Sequence, residues 1–193
     1  MRRAVPAALT LVALLALGCA SDRPAATIAG LTNPALSPAY SQWLIGPIAR
    51  LATVEEVKQY LALADDGAAQ RFIDAFWERR NPRPGAPNHL RELFDKRCQE
   101  ADKAYSEAGY SGRRTDRGAI YVVYGPPADV RMEMSPRAED PPRELWTYKP
   151  PLEPGLNGRP PEREYRFVRR GDLMVLWQAG AARAVAPPGP FGG

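Results

Sequence analysis

The sequence predicts an α+β fold: three N-terminal helices packed on one face of a mainly antiparallel sheet of about five strands. Apolar residues recur at spacings of three and four through residues 54–105, the period of helices with one buried face. From residue 119 to 177 the pattern changes to β-branched, aromatic or alternating runs separated by Pro- and Gly-rich segments. The chain holds only two cysteines, and Cys19 is read below as lipidated, so Cys98 has no partner for an internal disulfide. An apolar core must therefore hold the fold together.

The first helix starts at a capping box, Thr53 with Glu56, ahead of Val54, Val57, Tyr60, Leu61 and Ala64. Asp65-Asp66-Gly67 turns the chain, and either aspartate can cap the second helix. There Ala69, Phe72, Ile73, Phe76 and Trp77 make one wide apolar stripe. It ends by Asn81-Pro82, because a residue before proline is pushed out of the helical region. After a stiff Pro/Gly loop, Asn88 is a natural cap for the third helix. In it Leu90, Leu93, Phe94, Cys98, Ala101 and Tyr105 keep helical spacing, and Gly109 and Gly112 close it.

Residues 119–124, Ala-Ile-Tyr-Val-Val-Tyr, lie between Gly118 and Gly125-Pro126-Pro127. Apolar on both faces, this run reads as a buried central strand. Val130, Met132 and Met134 alternate with polar residues, the pattern of a half-buried strand. Beyond a polar loop at 135–142, Glu144, Trp146 and Tyr148 share one side of another strand. A long loop at 150–161 precedes a closing hairpin: Tyr165 and Phe167, a turn at Arg170-Gly171-Asp172, then residues 173–177.

The N-terminus carries an export signal. Arg2 and Arg3 supply positive charge, and residues 7–17 form an uncharged apolar run. At about a dozen residues the run is too short for a bilayer core, which needs about 20. Ala16-Leu17-Gly18-Cys19 resembles a lipobox, so cleavage before Cys19 and lipidation of that cysteine are expected. Two or more acyl chains hold a protein stably on a bilayer. Ala20, where an aspartate would retain the protein at the inner membrane, favours the outer membrane. The expected division is a signal peptide at 1–18, a lipidated tether at 19–40, one domain at 41–178, and a disordered Pro/Gly-rich tail at 179–193.

The formal charge is +4, and loss of Arg2 and Arg3 with the signal lowers it to +2. The basic doublets Arg79-Arg80, Arg113-Arg114 and Arg169-Arg170 are dispersed among acids, so no nucleic-acid partner is expected. No cofactor and no metal site are expected, since one histidine and one thiol cannot make a zinc site. His89, beside the cap of the third helix, reads as a surface residue, and Cys98 on an apolar stripe as a structural thiol.

Two stretches carry more information. One runs Phe76-Trp77-Glu78-Arg79-Arg80-Asn81-Pro82-Arg83-Pro84 and on to Asn88. The other runs Gly112-Arg113-Arg114-Thr115-Asp116-Arg117-Gly118 and on to Tyr124-Gly125-Pro126-Pro127. With Glu144-Leu145-Trp146-Thr147-Tyr148 and Glu164-Tyr165-Arg166-Phe167-Val168, they resemble the GWxTD-domain family of bacterial lipoproteins and secreted proteins. The resemblance spans roughly residues 50–178 and departs at Arg113, where the family has tryptophan; Tyr110 is a candidate to supply the aromatic body. It marks Trp77, Arg80, Asn81, Thr115, Asp116, Arg117 and Gly118 as motif residues without bringing an activity.

Thr115 and Asp116 can tie the chain through turn-type bonds to nearby N–H groups, and Arg117 can pair with Asp116 or a helix carboxylate. The functional expectation is a membrane-anchored envelope lipoprotein whose domain is a non-catalytic interaction module contacting an envelope protein. The alternative is an enzyme or small-ligand receptor that gathers Arg79, Arg80, Asn81, Thr115, Asp116 and Arg117 around an acidic ligand.

Overall fold

A computed structural model describes residues 28–134 and 141–177 of the chain. The signal segment, Cys19 and the tail beyond 177 lie outside the described residues, as do 135–140. The fold is α+β, with six α-helices and one four-stranded antiparallel sheet among the described residues. A 3-10 turn at Ile28–Leu31 leads into two single-turn helices, α1 (Pro38–Ser41) and α2 (Ile48–Leu51). Three longer helices follow: α3 (Val54–Leu61), α4 (Asp66–Glu78) and α5 (His89–Ala104). A 3-10 turn at Gly112–Arg114 feeds α6 (Asp116–Tyr124). The strands β1 (Asp129–Glu133), β2 (Arg143–Thr147), β3 (Glu164–Arg170) and β4 (Leu173–Leu176) then pair in sequence order.

The three expected helices are α3, α4 and α5, and their starts follow the expected chemistry. Thr53 and Glu56 close a reciprocal capping box, Asp65 Oδ1 accepts from Ala68 N–H, and Asn88 Oδ1 accepts from Arg91 N–H. Their stripes meet in a helical core of Tyr60, Ile73, Phe76, Trp77, Phe94 and Cys98, joined by Leu44 and Ile48 from upstream. A second core of Trp146, Tyr148, Tyr165, Phe167 and Met174 lines one face of the sheet.

Three expectations need correction. Residues 119–124 form most of α6 and not a central strand, which is why the sheet has four strands and not five. The helix is apolar all round because it is covered on both sides. Val122 and Val123 enter the helical core, while Ile120 enters the sheet core. A short apolar run has the same composition in a buried helix as in a buried strand, and here the cap at Thr115 decides.

The ordered body also begins before residue 41. Leu31, Asn33 and Leu36 are buried, and Asn33 Nδ2 donates to the carbonyls of Tyr60 and Leu63, so residues 28–40 are not a free tether. Finally, β1 alternates as expected, but its apolar side is open. Val130, Met132 and Met134 are 53%, 61% and 75% exposed.

Candidate functional site

The first signature stretch closes α4. Trp77 is buried, with its ring 5.3 Å from Phe76 and 4.9 Å from Phe94. It is a core residue; deleting so large an aromatic costs about 3–5 kcal/mol. Arg80 reaches back to α3, donating to both carboxylate oxygens of Glu56 at 2.9 and 2.7 Å. It also donates to the carbonyls of Phe76 and Leu51, and its guanidinium lies 3.6 Å from the Phe76 ring centroid. Burial alone would raise the Glu56 carboxyl, but the bonds from Arg80, Thr53 N–H and Arg79 hold it at about 2. Asn81 is buried, donates to Ala86 O and accepts from Arg83 N–H, which folds the proline loop onto the helix end.

The second stretch is a three-layer junction of backbones. A Cβ on Gly112 would collide with the carbonyl of Ala101 in α5, and one on Gly118 would collide with the carbonyl of Gly112. The two glycines therefore let α5, the 3-10 turn and the start of α6 stack at backbone contact. Thr115 locks the stack: its hydroxyl donates to Gly112 O at 2.8 Å and accepts from Gly118 N–H at 3.1 Å. Asp116 Oδ2 accepts from Leu176 N–H at 2.7 Å, which ties the start of α6 to β4, and Oδ1 lies 3.8 Å from Arg50.

Arg117 sits between two carboxylates, donating to Glu107 at 2.8 Å and Glu144 at 3.1 Å. Its partners are thus a loop and a strand acid, neither Asp116 nor a helix carboxylate. Trp146 Nε1 donates to Glu144 Oε1 at 2.6 Å, so the acid is held from the sheet as well.

At the departing position, Arg113 N–H and its guanidinium both bond Asp102 of α5, at 2.8 Å each for N and Nε. Burial would raise the Asp102 carboxyl, but these bonds keep it below the ordinary carboxylate value. Tyr110 is exposed and supplies no packed aromatic body in this place. His89 is exposed and bonds Glu92, and burial pushes the Cys98 thiol up to about 12, so it is an inert core residue.

The pocket of the alternative reading is not assembled. Arg80 and Asn81 bind α3, α4 and their own loop, while Thr115, Asp116 and Arg117 bind the α5–α6 junction and the sheet. Two shallow surface depressions, at 106–111 and around Tyr124, Tyr148, Leu152 and Pro161, include none of them. Sequence reasoning missed the most exposed apolar feature, the side of β1. The signal that could have found it was its place between the proline segment 125–128 and the polar, proline-containing segment 135–142, neither of which offers an apolar run to cover it.

The geometry defines an α+β domain whose signature residues knit helices to one another and to the sheet. That signature has a family: the GWxTD domain matches residues 26–172, and the chain belongs to the GWxTD-domain family. No curated protein and no solved structure matches the chain.

Proposed function

We propose that the chain is a membrane-anchored envelope lipoprotein whose domain works as a non-catalytic interaction module. Acylated Cys19 is the bilayer contact, and Ala20 favours the periplasmic side of the outer membrane. Among the described residues no helix is long and apolar enough to cross a membrane, which suits a lipid anchor. The observation that carries the module reading is a contrast. Arg80, Asn81, Thr115, Asp116 and Arg117 each make hydrogen bonds inside the domain, while the edge strand β1 turns Val130, Met132 and Met134 to solvent. An exposed apolar edge strand invites strand pairing, one of the recurring ways in which a sheet recruits a partner. The enzyme or receptor alternative loses its residues to those internal bonds.

The test has two arms in cells making the full chain. Cys19→Ser should abolish lipid labelling and signal processing. A photocrosslinker at Met132 should give protein adducts that Val130→Lys removes. A Cys19→Ser chain cut before residue 19 and released like the wild type refutes the anchor. Adducts from Met132 that ignore Val130→Lys, or no adducts, refute the module.

A further inference from the structure

Resting on that reading of β1 as the contact edge, we infer that its partner is β1 of a second copy, antiparallel and centred on Met132. Of the two sheet edges, β4 is engaged, since Asp116 accepts the N–H of Leu176. Among the described residues β1 pairs only with β2.

The register fixes which β1 groups face outward. Tyr148 N–H donates to Arg163 O beside the pair Thr147–Glu164, so Tyr148 turns its backbone groups toward β3. Backbone groups alternate sides along a strand, so those of Thr147, Leu145 and Arg143 turn toward β1. Their partners Asp129, Arg131 and Glu133 turn back to β2, which leaves the N–H and C=O of Val130 and Met132 on the open edge. Met134 continues the alternation.

A twofold axis at Met132 uses those outward groups. It sets Met132 opposite Met132, Val130 opposite Met134, and Arg131 opposite Glu133 twice. The apolar side chains of both copies then form one stripe on one face, and the charges on the other face alternate in sign. Shifting the axis to Arg131 would oppose Arg131 to itself and Asp129 to Glu133, like charges that destabilise a cross-strand pair. It would also present the inward-turned groups to the new strand. An axis at Val130 matches Asp129 with Arg131 but sets Met132 opposite Ala128, so the apolar side chains of the two copies no longer meet. Charge sign therefore excludes the axis at Arg131, and apolar pairing selects the axis at Met132.

The experiment is crosslinking of the full chain in membranes, oxidised with diamide. Met132→Cys should give a disulfide-linked dimer, because directly opposed hydrogen-bonded residues have Cα atoms about 5.5 Å apart, within disulfide reach. Position 132 is exposed, so the substitution leaves the core alone. Adding Arg131→Glu should cut the dimer yield several-fold, and Arg131→Lys should keep it; Glu133 stays unchanged because it also accepts from Arg166 of its own chain at 2.9 Å. No dimer, or a yield indifferent to the sign of the charge at position 131, overturns the inference. Photocrosslinks from Met132 to a different protein without self-dimers would overturn the second copy while the contact-edge reading survives. Absence of both would sink both.

Discussion

Gly118→Ala sets two effects against each other, and the structure decides the sign. Gly118 is helical, where alanine is ordinarily the better residue by about 0.5–1 kcal/mol. Here, however, the added methyl meets the carbonyl of Gly112. That carbonyl cannot swing away, because it accepts from both the hydroxyl and the N–H of Thr115, at 2.8 and 3.0 Å. The start of α6 must move instead. Overpacking of this kind costs about 1–3 kcal/mol. Movement also stretches the 3.1 Å cap from Gly118 N–H to Thr115, and loss of a cap costs about 0.5–2 kcal/mol. Subtracting the propensity gain leaves a net destabilisation of about 0.5–4.5 kcal/mol, centred on about 2–3 kcal/mol and worth about 2–4 °C per kcal/mol in a domain of this size.

Gly67→Ala is the control. Gly67 lies in the first turn of α4, and its added methyl would meet only the side-chain ends of Asp65 and Arg71, at 3.2 and 3.4 Å. It should be close to neutral, because the propensity gain of alanine is offset by the small shift that the capping Asp65 carboxylate must make. Thermal and urea melts of the two variants decide the matter. A Gly118→Ala melt at or above the wild type, matching Gly67→Ala, would refute the three-layer junction.

Asp116→Ala should lower stability by about 1–2 kcal/mol, since it removes a charged acceptor from the Leu176 N–H. The long, partly exposed contact to Arg50 adds little, so Asp116→Asn should recover much of the loss by keeping one acceptor. Stability unchanged in both variants would turn the aspartate from a tie into a ligand group. For pH dependence, Glu56 has a folded pKa of about 2, below its ordinary 4.5. Its contribution is therefore fully present above pH 4.5 and is lost as pH falls from about 4.5 toward 2. Glu56→Gln should flatten that part of a stability–pH curve, and a curve as steep as the wild type's over the same window would show that Arg80 is held by other groups.

The legible parts of the fold are those that local chemistry governs. Thr53, Asp65 and Asn88 cap α3, α4 and α5 because a short polar side chain before an apolar stripe has one good use. The hairpin of β3 and β4 was legible for the same reason. Residues 119–124 were not, because a run apolar all round tells only that it is buried, and its neighbours on both sides were still unplaced. Residues 28–40 misled by composition: the Asn33 bonds that pin them to α3 join residues 27 and 30 positions apart. For the candidate site, the structural role of Thr115 and Gly118 was readable from turn chemistry, but the partners of Arg117 depended on where β2 lies. The open side of β1 was missed for a related reason: alternation marks a face as apolar without saying that anything covers it, and only the flanking proline segments carried the signal.

The family tryptophan and its replacement can be understood from the same junction. Position 113 follows Gly112, the residue at backbone contact with α5, so its side chain starts out along that helix. Its N–H bonds Asp102 whatever the side chain is, which makes part of the attachment independent of residue type. The arginine then adds its own bond to the same carboxylate, so a charged clamp does what packing of an aromatic ring on α5 would do. A position whose work is to hold a turn against a helix accepts either solution, because each satisfies the same backbone geometry. A position that recognised a ligand would not exchange an apolar ring for a guanidinium already committed to an internal acid. Arg113 therefore does the work of a residue that builds the domain, holding the 3-10 turn against α5 through Asp102.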